Sequence, residues 1–102
     1  MKLENYSEKK LKKEILDIIS RYLDLKKYKI FFFGSRVNGS SFERADIDLG
    51  IEGPKKIEAK IILEIKEKID KLPLLYKFDV VDFKKVSEDF KKEAKKNLEY
   101  VK

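Results

Sequence analysis

The stretch that decides the fold runs from Gly34 to Asp48 and reads Gly-Ser-Arg-Val-Asn-Gly-Ser-Ser-Phe-Glu-Arg-Ala-Asp-Ile-Asp. The apolar run Ile30-Phe31-Phe32-Phe33 leads directly into it, which predicts a buried strand that ends at a tight Gly-Ser turn. At the other end, the residues from 46 to 51 alternate between polar and apolar with a period of two. Because residues i and i+2 of a strand share a face, Asp46 and Asp48 are expected to project together, while the apolar residues between them enter a core.

This pairing of a Gly-Ser turn with two carboxylates indicates chemistry on phosphates. Neighbouring carboxylates repel each other unless a cation lies between them, and Mg²⁺ is typically held by one or two carboxylates together with substrate phosphates. The turn at Gly34 and Ser35 exposes backbone N–H groups and a hydroxyl, which suit a phosphate. Arg36 either pairs with that phosphate or holds a nearby carboxylate. The stretch therefore predicts phosphoryl or nucleotidyl transfer.

A third carboxylate is expected from a later strand, predicted over residues 76–83, which contains Asp79 and Asp82. Three positions apart, the two side chains point to opposite faces of a regular strand, so only one of them can join the first pair. Asp79 lies in the middle of the strand, where an unpaired carboxylate is costly to bury. Asp82 lies near the strand end and can reach water or cap the next turn. Asp79 is therefore the predicted third metal ligand, unless a bulge reverses the choice.

The rest of the chain supplies helices around these strands. Leu11, Ile15 and Ile18 recur at helical spacing in the first of them, for which Asn5 and Glu8 predict a capping box. The predicted order is helix 5–26, strand 28–33, short helix within 34–41, strand 45–52, helix 55–72, strand 76–83 and helix 87–101. This order predicts a single α/β (α+β) domain over residues 1–102, with a mixed sheet flanked by helices.

Composition narrows the chemistry that the chain can perform. Cysteine and histidine are both absent from the 102 residues, which excludes disulfides, cysteine–histidine zinc sites and a histidine base. Proton transfer must therefore use carboxylates, metal-bound water or the substrate. The net charge of +6 is spread evenly along the chain, which favours a solvated, ion-paired surface over a nucleic-acid-binding arm.

The sequence also gives expectations about the cellular location of the protein and the growth temperature of its source. The apolar runs are too short to span a bilayer and the first residues do not form a signal peptide, so we expect a cytoplasmic protein without membrane contact. The sequence is rich in Lys, Glu and Ile and lacks Gln, Thr and Trp. This bias is typical of a thermophile, although AT-rich coding produces the same bias.

Gly34-Ser35-Arg36, a spacer and then Asp46-Ile47-Asp48-Leu49 resemble the signature of the polymerase-β-like nucleotidyltransferases. The resemblance covers roughly residues 29–83, and the short length is similar to that of the minimal nucleotidyltransferases of prokaryotes. It also matches the family's third aspartate to Asp79. Ala45 departs from the family, which more often has a small hydroxyl residue there.

The resemblance implies an active site that binds metal ions and a nucleotide. Two Mg²⁺ ions would be held by the catalytic residues Asp46, Asp48 and Asp79, and ATP or another nucleoside triphosphate would bind at residues 34–36. Minimal nucleotidyltransferases are often encoded beside a HEPN-domain partner as toxin–antitoxin modules. The resemblance therefore implies an antitoxin that transfers AMP to a tyrosine of a HEPN toxin.

Two other functions remain open from the sequence. The first is a non-catalytic module of the same fold that neutralises its partner by contact, against which the three carboxylates weigh. The second is a nucleic-acid-binding domain with structural aspartates, against which the even charge and the lack of a predicted exposed aromatic cluster weigh. Nucleotide-dependent melting, compared with oligonucleotide binding, separates these classes.

Overall fold

Four strands form one mixed sheet, described by a computed structural model for residues 7–34, 47–74 and 76–102. In chain order the elements are α1 (Glu8–Ser20), β1 (Lys29–Phe33), β2 (Ile47–Glu52), α2 (Ala59–Asp70), β3 (Phe78–Asp82), α3 (Glu88–Ala94) and β4 (Leu98–Tyr100). The strand order is β3-β2-β1-β4. β1 runs antiparallel to both β2 and β4, whereas β2 and β3 are parallel. The predicted mixed sheet flanked by helices is confirmed, and the predicted short helix within 34–41 lies outside the described residues.

β1 lies inside the sheet and is buried on both faces, as its three phenylalanines predicted. Ile30 and Phe32 pack against residues of α1 and α2, on what we call the helical face. Phe31 and Phe33 pack on the opposite side with Phe83 and the end of α3, on what we call the aromatic face. The alternation along β1 therefore divides the core into two layers, and β2 and β3 follow the same division.

Gly50 shows how tightly the aromatic face is packed. It lies opposite Phe31, and a Cβ at this position would overlap the Phe31 ring and stand 2.7 Å from the Phe83 ring. These two rings meet edge to face, with centroids 4.8 Å apart, so neither can move away without disturbing the other. Only a glycine fits between β2 and these rings.

We expect Gly50→Ala to lower the free energy of unfolding by about 1–3 kcal/mol, the usual effect of overpacking a core. Denaturant unfolding measures this change. Alanine loses less backbone entropy on folding than glycine does. If this were the only effect, Gly50→Ala would raise the free energy of unfolding by roughly 0.5–1 kcal/mol. An unchanged or raised stability would contradict the packing seen around Gly50.

The helices are shorter than predicted because local hydrogen bonds set their ends. Ser7 is the N-cap of α1, and its hydroxyl accepts a hydrogen bond from the Lys10 N–H, so the predicted start of the helix at Asn5 is wrong. α1 ends at Ser20, with Arg21 as its C-cap, rather than at Lys26; the chain beyond it turns, and there the Lys26 N–H donates to the Asp24 carboxylate. Within the described ranges, none of the helices has the length and apolarity needed to cross a bilayer.

The last predicted helix is partly wrong. Ser87 caps it as expected, accepting a hydrogen bond from the Phe90 N–H at 3.1 Å, but α3 ends at Ala94. The chain then forms β4, in which Leu98 pairs with Phe33 and Tyr100 pairs with Phe31. Pairing with β4 gives hydrogen-bond partners to backbone groups of β1 that would otherwise lie at an open edge of the sheet. This stabilisation outweighs the preference of the segment for a helix.

Candidate active site

Asp48 and Asp79 lie side by side on neighbouring strands. Asp48 of β2 is paired in register with Phe33 of β1 on one side and with Asp79 of β3 on the other. Residues paired across a sheet project from the same face, and adjacent strands lie about 4.8 Å apart. Both carboxylates therefore project from the aromatic face, where the Asp48 side chain is half-buried and that of Asp79 is exposed.

The turn after β1 closes on this pair. Gly34 directly follows Phe33 and has a φ of +89°, a conformation that side chains other than glycine's rarely adopt. A Cβ at Gly34 would stand 2.7 Å from the Asp48 Oδ2 atom. The backbone of the turn thus approaches the Asp48 carboxylate as closely as only glycine allows. The turn predicted to receive a phosphate lies beside a carboxylate predicted to hold a metal.

Three of the predicted site residues, Ser35, Arg36 and Asp46, lie outside the described residues. Their roles stay predictions, and the period-two argument that aligns Asp46 with Asp48 is unchanged by the structure. In the described ranges no group of three acidic, cysteine or histidine side chains is gathered in a way that could hold a metal ion. The described part of the predicted metal site is the pair formed by Asp48 and Asp79.

Asp82 has a structural role, set by two hydrogen bonds from the backbone. It is 6% exposed; its Oδ1 accepts from the Lys84 N–H at 2.9 Å and its Oδ2 from the Ile57 N–H at 2.7 Å. The second bond holds the chain at Ile57, just before the extended N-cap residue Glu58, and α2 begins at Ala59 rather than at the predicted Lys55. Of the two roles that the sequence left open for Asp82, contact with water or capping of the following turn, the structure shows the second, and Asp82 also anchors a segment 25 residues away.

The burial argument that favoured Asp79 is wrong, although the two aspartates do face opposite sides of the sheet. Asp79 is exposed because β3 is an outer strand, and Asp82 is the buried carboxylate. What brings Asp79 to Asp48 is the register of β3 against β2, which the sequence does not reveal. The aromatic face also leaves Phe90 at 41% and Tyr100 at 51% exposure, each in contact with a different buried phenylalanine of β1.

The donor set fits a divalent cation. Like charges directly opposite each other on paired strands are destabilising, typically by a few tenths of a kcal/mol to about 1 kcal/mol, so a bound cation would relieve the repulsion between Asp48 and Asp79. Carboxylate oxygens are the ligands that Mg²⁺ prefers, and the exposure of Asp79 leaves the pair open to a substrate. The described geometry therefore suits a metal ion that also contacts phosphate.

The family model named Polymerase beta, Nucleotidyltransferase matches residues 13–101. This match spans both carboxylates, the Gly34 turn and all of the sheet. The chain therefore belongs to the polymerase beta nucleotidyltransferase family, whose members generally use divalent metal ions. The resemblance drawn from residues 34–49 is confirmed.

Known proteins similar to this chain include one curated relative and several solved structures. The "probable protein adenylyltransferase MntA" of Haemophilus influenzae is 27% identical over 96 residues, which cover 92% of this chain and 84% of that protein. The crystal structure of a toxin–antitoxin with AMP-PNP aligns with a TM-score of 0.76 at 18% identity, covering 89% of this chain and 72% of that one. The tri-AMPylated HEPN toxin of Shewanella oneidensis in complex with its MNT antitoxin aligns with a TM-score of 0.73 at 16% identity, covering 94% and 72%. The likenesses to solved structures establish the fold.

Proposed function

We propose that this chain is a Mg²⁺-dependent nucleotidyltransferase that transfers AMP from ATP to a hydroxyl group of a HEPN-domain protein, as the antitoxin of a toxin–antitoxin module. The observation that carries the proposal is the in-register pairing of Asp48 with Asp79 beside the Gly34 turn. The similar proteins support the other parts of the proposal: AMP-PNP supports ATP as the donor, and the adenylyltransferase and the AMPylated HEPN toxin support AMP transfer to a HEPN partner. The proposal treats residues 1–102 as a single domain. It also places the protein in the cytoplasm, because ATP is the proposed donor.

The carboxylates would hold the metal and the turn would hold the nucleotide. Asp48 and Asp79, together with Asp46, would bind two Mg²⁺ ions, the number typical of such sites. When bound, the ions would neutralise phosphate charge and lower the pKa of the acceptor hydroxyl. Gly34 would let the triphosphate approach backbone N–H groups, with Ser35 and Arg36 as further phosphate contacts.

The transfer itself needs no covalent intermediate on this chain. The acceptor oxygen forms a bond to the α-phosphorus of ATP, while the bond from that phosphorus to the oxygen bridging the α- and β-phosphates breaks. Pyrophosphate leaves with the electron pair, and the acceptor proton passes to solvent, to which the Asp79 side of the site is open. The absence of histidine and cysteine is compatible with this route, because positioning and charge neutralisation account for most of the catalysis.

Labelled ATP tests the proposal directly. We expect a HEPN-domain partner of this chain to become labelled by α-³²P-ATP and not by γ-³²P-ATP, with no labelling in EDTA. The double variant Asp46→Asn plus Asp48→Asn serves as the matched control; it should fold and transfer no label. If the partner is neutralised without any label, the chain is a contact antitoxin instead.

A further inference from the structure

β3 is an outer strand of the sheet, and it carries Asp79. Its inner edge is occupied by β2: the Ile47 N–H donates to the Lys77 carbonyl at 2.8 Å, and the Phe83 N–H donates to the Ile51 carbonyl at 2.9 Å. In a parallel ladder every second residue bonds to a given neighbour, so residues 77, 79, 81 and 83 bond to β2. The intervening residues, Phe78, Val80 and Asp82, turn their backbone groups to the outer edge.

The ends of this outer edge are occupied, whereas none of the described residues occupies its centre. The Phe78 N–H donates to the Asp70 Oδ1 atom at 3.3 Å, and the Asp82 carbonyl accepts from the Lys85 N–H at 3.0 Å. The N–H and C=O of Val80 form no hydrogen bond within the described ranges. An unpaired N–H and C=O at the centre of an outer strand match the backbone of another extended segment.

A cavity lies where this edge begins. Its volume is about 500 Å³, and its lining residues are Lys66, Asp70, Leu74, Tyr76 and Lys77. Asp70 connects the cavity to the edge, because the same side chain binds the Phe78 N–H. The cavity therefore provides room for side chains of a segment that runs along the edge of β3.

We propose that the acceptor polypeptide docks as an added strand on the outer edge of β3, bonding to the backbone of Val80 and presenting its hydroxyl residue beside Asp79. This inference rests on the proposed function and identifies the docking surface for the same reaction. An added strand lies about 4.8 Å from β3, so a residue alongside Asp79 on the aromatic face is one strand spacing from that carboxylate and two from Asp48. The other outer strand, β4, is separated from Asp79 by β1 and β2.

Val80→Pro and Val80→Ala form a matched pair that isolates the backbone donor. Both substitutions lose the half-buried valine side chain, whereas only proline removes the N–H and fills the edge with its ring. Proline is tolerated in an outer strand when its nitrogen faces away from the ladder, so both variants should fold. We expect the KM for the HEPN-domain acceptor, with α-³²P-ATP as donor, to rise at least about tenfold for proline, or ~1.4 kcal/mol, and less than about threefold for alanine. The ATP-induced rise in melting temperature should be the same in both.

Equal acceptor KM values for the two variants would overturn the proposal. Amide hydrogen exchange of the wild-type chain gives a second test that does not depend on a proline variant folding: adding the acceptor protein should slow exchange at Val80 at least about tenfold, consistent with pairing at a strand edge. Unchanged exchange at Val80 would also overturn it. A wild-type chain that shows this protection but transfers no label would refute the proposed transferase function and leave the docking surface standing.

Discussion

Asp79→Asn is expected to lower the rate of AMP transfer at least about 10³-fold, the scale on which removal of a key catalytic group acts. The Asp79 side chain is exposed and accepts no hydrogen bond within the described ranges, so its replacement removes charge without leaving a buried donor unpaired. Because it stands opposite Asp48, the variant should melt at the wild-type temperature or slightly above it in metal-free buffer. Addition of Mg²⁺ should then stabilise the variant less than the wild type.

Asp82→Asn is the matched control, and its expected result is the reverse. The Asp82 carboxylate is buried and accepts two backbone N–H groups, so an amide that turns its NH₂ group towards one of them leaves that donor unpaired. We expect the free energy of unfolding to fall by about 1–3 kcal/mol, while the folded fraction transfers AMP at a rate close to that of the wild type. Denaturant unfolding and transfer assays at saturating Mg²⁺ measure the two effects. The opposite pattern would move the catalytic role from Asp79 to Asp82.

The contrast between these aspartates shows where sequence reasoning succeeds. Strand periodicity alone predicts that Asp79 and Asp82 lie on opposite faces, as they do, whereas the choice of Asp79 as metal ligand by its match to the family signature stays a prediction. Their burial depends on position in the sheet: Asp79 is exposed because nothing in the described ranges pairs with the outer edge of β3, and Asp82 is buried by a contact 25 residues distant. The local sequence pattern cannot supply either fact, because both depend on how parts of the chain that are distant in sequence lie in the fold.

β4 illustrates the same limit at the level of secondary structure. Val86, Phe90, Ala94 and Leu98 are spaced as one face of a helix, and the segment is rich in lysine, so the sequence favours a helix to residue 101. The structure ends that helix at Ala94 and pairs Leu98 with Phe33. A three-residue strand carries too little sequence signal to be predicted, whereas β1, with four consecutive apolar residues, is predicted almost to the residue.

Gly34→Val is expected to raise the dissociation constant for ATP at least about tenfold, or ~1.4 kcal/mol, and to abolish detectable transfer. Two physical causes act together. A β-branched residue at a φ of +89° is strained, at a cost on the order of 1–3 kcal/mol, and its Cβ would stand 2.7 Å from the Asp48 Oδ2 atom. Relief of that contact must move either the turn, which is the proposed phosphate site, or the carboxylate, which is a proposed metal ligand.

Gly50→Ala separates this effect from a general loss of stability. It also overpacks the protein, but against the rings of Phe31 and Phe83 rather than against the site, so it should lower stability and leave ATP affinity unchanged. Calorimetric titration with ATP and Mg²⁺, performed well below both melting temperatures, compares the two variants. Wild-type ATP affinity in Gly34→Val would show that the turn beside Asp48 does not hold the triphosphate, and equal losses of affinity in both variants would attribute the effect to stability.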